Sequence, residues 1–178
     1  MLVLSAKLGN LRMVEHLVYA GANVNTGLSK PLRMAARKGH LEIVKYLVSQ
    51  GANINCTIEK NVVGNGIVLY EAARNGHLDI IKYLVSEGAD IRAEDDRALR
   101  TAVVHNELEV VEYLISQGAD VNSNDGGALK CAIAYNYVGM TKLLISSGAI
   151  INEEVSAIIK DYVKMTKFLK KLLQEKSK

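Results

Sequence analysis

Apolar residues recur along this chain at helical intervals, and the clearest instance is GHLEIVKYLVSQG at 39–51. Leu41, Val44, Leu47 and Val48 stand at i, i+3, i+6 and i+7, and Ile43 and Tyr46 widen the stripe. Glu42, Lys45 and Ser49 take the opposite face, so the stretch predicts an amphipathic helix. The same pattern returns as GNLRMVEHLVYAG at 9–21, GHLDIIKYLVSEG at 76–88, NELEVVEYLISQG at 106–118 and NYVGMTKLLISSG at 136–148. The copies begin 30, 37, 30 and 30 residues apart, so the one long spacing is an insertion after which the period is regained. Each copy stops at a glycine followed by alanine: Gly21, Gly51, Gly88, Gly118 and Gly148. A left-handed residue past the last helical turn costs glycine least, because it has no Cβ.

A second, shorter helical pattern precedes each of the last four copies: PLRMAARK, VLYEAARN, ALRTAVVH and ALKCAIAY. Ala35, Ala36, Ala72, Ala73, Ala102 and Ala132 are small enough to let neighbouring helices approach closely. One unit is therefore a short helix, a tight turn, a longer helix, a Gly-Ala stop and a loop. A single pair cannot bury its own apolar face, whereas a row of pairs forms a continuous core. The expected units are about 2–21, 31–51, 67–88, 97–118 and 127–148, together spanning 1–152. Residues 153–178 lack the Gly-Ala stop, but YVKMTKFL at 162–169 echoes YVGMTKLL at 137–144. That segment is expected to be a degenerate capping repeat, with Val163, Thr166, Leu169 and Leu173 turned inward and Lys164, Lys167, Lys170 and Lys171 outward.

PLRMAARKGH at 31–40, running into LEIVKYLVSQGANIN, resembles the ankyrin repeat, as do the exits GANVN, GANIN, GADIR and GADVN. The resemblance covers nearly the whole chain, and the short period is similar to that of the ankyrin arrays abundant in giant DNA viruses. It implies an all-α solenoid of stacked antiparallel helix pairs. The usual ankyrin period is about 33 residues, and the residues missing here fall where the family carries a β-hairpin finger, so shortened fingers are expected. The family's TPLH signature is eroded. Lys30, Ile67, Arg97 and Gly127 stand at its Thr position, and Arg33, Tyr70, Arg100 and Lys130 at its His position. His40 and His77 occupy the Gly-His turn, where a helix-capping role is expected, and Asp95 or Asp96 is a candidate cap for the helix that follows.

Composition narrows the functional classes. Nearly half the residues are apolar, Pro31 is the only proline, and tryptophan is absent. Cys56 and Cys131 form no metal or disulfide pattern, so reduced thiols in an intracellular, cytoplasmic setting are expected. Neither a signal-peptide pattern nor an apolar run of roughly 20 residues is present, and Asn55-Cys56-Thr57 is expected to be an unused glycosylation acceptor. Leu2, Leu4 and Leu8 leave the first helix without the polar outer face of a terminal repeat, so the array continues, this end docks on something, or it is a slightly frayed apolar end. The formal charge is +3, but residues 160–178 hold seven Lys against Asp161 and Glu175, and residues 1–159 sum to −2. The array is not a basic body, which argues against nucleic acid. The four His, at 16, 40, 77 and 105, show no metal spacing, and no nucleophile motif or phosphate loop is present. The reading is a monomeric, non-catalytic module with no cofactor, metal or small-molecule substrate.

What remains is a surface. At the end and outer flank of each short helix stand residues that change from copy to copy while the framework stays apolar. In the ankyrin family these positions lie on the concave side. They are Arg33, Arg37 and Lys38; Tyr70, Arg74 and Asn75; Arg100 and His105; Lys130 and Tyr135. They predict a groove that is basic at the second and third repeats and more aromatic toward the fifth, complementary to an acidic protein surface or peptide. The loop 52–66, in which Val62 and Val63 are candidates for a small hairpin, is either a tolerated insertion or a second contact surface. Viral ankyrin proteins often engage host proteins, which the resemblance extends to this chain. Alternatives are a ubiquitin-ligase adaptor subunit, or association with nucleic acid or membrane through the Lys-rich C-terminal helix.

Overall fold

The computed structural model describes residues 1–56 and 66–160. The helices are α1 (Leu2–Leu8), α2 (Leu11–Tyr19), α3 (Thr26–Lys38), α4 (Leu41–Ser49), α5 (Ile67–Arg74), α6 (Leu78–Ser86), α7 (Ala93–Val104), α8 (Leu108–Ser116), α9 (Ser123–Ala134) and α10 (Val138–Ser146). A further helical stretch occupies 153–160, and no strand occurs among the described residues. Two compact units result, Met1–Asp120 and Val121–Lys178.

In the first unit the helices pack as the pairs α1/α2, α3/α4, α5/α6 and α7/α8. The first helices α1, α3, α5 and α7 then stack in sequence, and the second helices α2, α4, α6 and α8 stack beside them. Contact is far more extensive along the first row than along the second. The residue types explain this. Ser5, Ala35, Ala72 and Ala102 stand in register and are all buried, and Ala6, Ala36 and Ala73 beside them are fully covered. Side chains this small set no spacing of their own, so the backbones close in. Leu2, Leu32, Leu69 and Leu99 fill the next register position. Each buried leucine contributes roughly 1.5–3 kcal/mol relative to exposure, and it is the neighbouring pair that supplies the cover. Val14, Val44, Ile81 and Val111 do the same for the second helices. In the second unit α9 packs on α10, with Leu129, Ala132, Met140 and Leu144 buried.

The Gly-Ala stops behave as their residues require: φ is 89° at Gly21, 81° at Gly51, 86° at Gly88, 95° at Gly118 and 92° at Gly148. The shortened fingers take a form the pattern did not indicate. Residues 27–29, 94–96 and 124–126 all lie in the left-handed region, at φ between 51° and 71°, and make one left-handed turn before the right-handed part of α3, α7 and α9. Each turn is closed by one backbone bond, Ser29 N–H to Asn25 O (3.2 Å), Asp96 N–H to Arg92 O (3.3 Å) and Gly126 N–H to Asn122 O (3.0 Å). Left-handed residues other than glycine cost roughly 1–2 kcal/mol apiece, with Asn and Asp the better tolerated. The turns therefore need support from outside themselves. Pro31 follows the first of them, buried near the start of the regular helix.

Candidate protein-binding face

An asparagine four residues after three of the Gly-Ala stops ties one repeat to the next. Asn25 Nδ2 donates to Gly51 O (2.9 Å), and its Oδ1 accepts from Asn53 N–H (2.7 Å). Asn55 repeats this with Gly88 O (2.9 Å) and Asp90 N–H (3.0 Å). In the second unit Asn122 does so with Gly148 O (3.1 Å) and Ile150 N–H (2.8 Å). Arg92 occupies the register position of these asparagines and has no acceptor to offer. Asp96 supplies it: its carboxylate accepts from Arg92 Nε (3.0 Å) and from Asp120 N–H (3.0 Å). Asp96 is fully buried and sits in the left-handed turn. It does not cap its own helix, as had been expected of Asp95 or Asp96, because its carboxylate is used across the repeat boundary instead.

The two turn histidines are corrected in the same way. His40 and His77 occupy the N-cap positions of α4 and α6, yet neither makes a side-chain capping bond. Their Nε2 atoms instead meet Lys7 O and Arg37 O of the preceding repeat, each at 3.2 Å. Each ring lies over the preceding turn glycine, so a Cβ on Gly9 would come within 2.7 Å of His40 and one on Gly39 within 2.8 Å of His77.

On this frame the first unit places Arg33, Arg37, Lys38, Tyr70, Arg74, Asn75, Arg100 and His105 on or at the ends of its first helices. Arg37, Lys38, Arg74, Asn75 and His105 are exposed, and Arg33, Tyr70 and Arg100 are half-buried. Several are already engaged. Arg33 Nη2 and Arg37 Nε lie 3.9 Å from Glu71 Oε1 and Oε2 respectively. The Arg97 guanidinium lies 4.3 Å from the centroid of the Tyr70 ring and also pairs with Glu94. Arg100 donates from Nε to Asp95 O (3.0 Å) and from Nη2 to Glu94 O (2.9 Å), which braces a left-handed turn. Asn75 Nδ2 donates to Glu71 O (2.8 Å), and His105 Nδ1 meets Thr101 O (3.0 Å). In the second unit Lys130 pairs with Glu154 (2.6 Å), and Tyr135 stacks on Tyr137 with ring centroids 5.6 Å apart.

Glu71 is the residue the pattern missed. It stands in register with Met34, Thr101 and Cys131, so a carboxylate at that position is out of character for its neighbours. Its side chain is only 9% exposed, against 19% for Arg33 and 45% for Arg37. The cysteines are free. Cys56 is buried, its Sγ donates to Leu28 O (3.3 Å), and burial pushes the thiol up from its ordinary value. Among the described residues no group of three or more His, Cys, Asp or Glu side chains is placed to hold a metal ion, and no helix is long and apolar enough to cross a membrane. The expected hairpin at Val62 and Val63 and the Lys-rich helix beyond residue 160 lie outside the described residues.

A row of like helix pairs, held by buried residues that repeat and presenting exposed residues that do not, defines a helical repeat scaffold. Comparison with known families narrows this. A family model described as ankyrin repeats (3 copies) matches residues 1–58 and 69–155, and one described as ankyrin repeats (many copies) matches 32–85. The chain belongs to the ankyrin-repeat family, whose members are generally non-catalytic protein–protein interaction modules. No curated protein matches it.

Proposed function

We propose that this chain binds a protein partner without catalysis, through the face formed by its first helices, and that the partner presents an acidic segment there. The observation that carries this reading is the division of labour within the short helices. Leu32, Ala35 and Ala36, and their counterparts Leu69, Ala72 and Ala73, are buried, and the same three register positions are buried in every copy. Arg37 and Lys38, and their counterparts Arg74 and Asn75, are exposed, and the same two positions hold Lys7 and Leu8 in the first copy and Val104 and His105 in the fourth. Residues released from packing can be selected for a partner, and arginine is among the commonest interface anchors. The resemblance of the short-period repeats to those abundant in giant DNA viruses supports a host protein, met inside the cell, as the partner class.

The test is affinity capture followed by calorimetry on the captured partner. Lys38→Glu and Arg74→Glu should each weaken binding about tenfold, as expected for reversing a charge at an interface. Glu112→Lys, on the exposed side of α8, should leave it unchanged. The opposite ranking would refute the assignment of the face.

A further inference from the structure

Arg33, Arg37 and Glu71 form a cluster of two positive charges and one negative that is ion-paired but not hydrogen-bonded. Both nitrogen–oxygen separations are 3.9 Å, about 1 Å longer than a charge-assisted hydrogen bond. Arg33 Nε and Glu71 Oε2 are buried and have no hydrogen-bond partner within the protein. Glu71 therefore offsets part of the charge of the two guanidiniums without occupying their donor geometry. Arg37 is nearly half exposed, so its guanidinium can be reached from solvent. Lys38 follows it in sequence and Arg74 holds its register position in the next repeat, both exposed.

We infer that Glu71 is an internal competitor for the partner's acidic side chain. It holds Arg33 and Arg37 in a loose pair that a carboxylate of an acidic peptide segment exchanges into, and it sets how selective that exchange is. This rests on the face assignment above and adds the specificity element to it. A guanidinium meets a carboxylate best as a planar, two-pronged donor, and Glu71 leaves that geometry unused. An incoming carboxylate gains it at Arg37 while feeling repulsion from the buried charge behind. A single carboxylate on a flexible peptide can approach from the solvent side at some distance from Glu71. A 20-nucleotide polyphosphate extends its charge well beyond the cluster, over an array whose residues 1–159 sum to −2, whereas a short acidic segment confines its charge to the guanidiniums. The cluster thus favours acidic peptide over nucleic acid.

The probes are a fluorescein-labelled decaglutamate and a labelled 20-nucleotide oligothymidylate, titrated by anisotropy at low and at physiological salt. Wild type should bind the peptide in preference to the oligonucleotide. Glu71→Gln should tighten peptide binding about tenfold at low salt, the effect of removing one like charge roughly 6 Å from the incoming group at an intermediate dielectric. The gain should shrink as salt screens it, and the preference over oligonucleotide should narrow. Glu71→Thr, which introduces the residue found in register at Thr101, is the second variant, and circular dichroism establishes that each is folded.

Unchanged peptide affinity in the folded Glu71 variants, with binding still lost in Arg37→Glu, overturns the competitor role and leaves the face standing. Unchanged affinity in Arg37→Glu overturns both. Stronger binding of wild type to the oligonucleotide than to the peptide overturns the selectivity. A readout independent of the variants is the Nε–H resonance of each arginine in the wild-type protein. Those of Arg33 and Arg37 should move together as peptide is added, and peptide saturation without that movement overturns the exchange.

Discussion

The replacement of a bridging asparagine by the Arg92–Asp96 pair can be tested by removing the acceptor and then restoring the other solution. Asp96→Ala deletes the carboxylate that receives Asp120 N–H and Arg92 Nε. Arg92 is more than half exposed and regains water, so its loss contributes little. The Asp120 N–H loses a charged acceptor, which costs about 1.5–3 kcal/mol. Alanine must also adopt φ 56°, a conformation aspartate tolerates better, adding roughly 1 kcal/mol. The expected destabilisation is thus about 3 kcal/mol, large for a point substitution. The rescue is Arg92→Asn with Asp96→Ser, which copies Asn25 and Ser29. There Ser29 Oγ donates to Asn25 Oδ1 (2.8 Å) while Asn25 bridges Gly51 O and Asn53 N–H. The double variant should return to within about 1 kcal/mol of wild type, three new bonds at about 1 kcal/mol each replacing those lost. Urea unfolding followed by circular dichroism reads both, through the midpoint at constant slope. A double variant no more stable than Asp96→Ala would refute the idea that the two pairs solve one bonding problem. So would an Asp96→Ala midpoint indistinguishable from wild type.

Two further outcomes follow from local geometry. Gly39→Ala should cost clearly more than Gly51→Ala in the same assay. Both residues are left-handed, at φ 78° and 81°, which costs alanine about 1 kcal/mol. Only at Gly39 does the new Cβ meet His77 and endanger its bond to Arg37 O, so equal losses would mean that the histidine does not fix that turn. Cys56 should react with an aromatic disulfide reagent at neutral pH far more slowly than the half-exposed Cys131. Burial raises its pKa and so keeps it as the thiol rather than the nucleophilic thiolate; equal rates would contradict its burial.

Much of this molecule is legible in single stretches of chain. Leu41, Val44 and Leu47 announce a helix and its buried side within three turns, because helical periodicity is a local property. Gly51 and its four counterparts announce the stops, because a left-handed backbone position selects its residue without reference to anything distant. Ala35, Ala36, Ala72 and Ala73 announce close stacking of the short helices. The variable residues at the ends of those helices could also be named from register alone, since a position freed from packing shows itself by changing between copies.

Other features needed the repeats to be set side by side. His40 and His77 read as caps, but the atoms they reach, Lys7 O and Arg37 O, belong to the preceding repeat. Asp96 reads as a cap, but a fully buried carboxylate goes to the nearest donors in space, and these are Arg92 and a backbone N–H 24 residues away. Glu71 reads as one more polar residue on a short helix until two arginines of the previous repeat are found 3.9 Å from it. Residues 27–29, 94–96 and 124–126 carry no common signature of a left-handed turn, since Leu28 and Glu94 favour other conformations. The amino-acid order alone thus settled the helices, their ends and the faces they bury, because these depend on residues within a turn or two. The bonds between repeats, the pairing of charges on the candidate face and the path of the shortened fingers depend on distances across the stack, and those exist only once the repeats have packed.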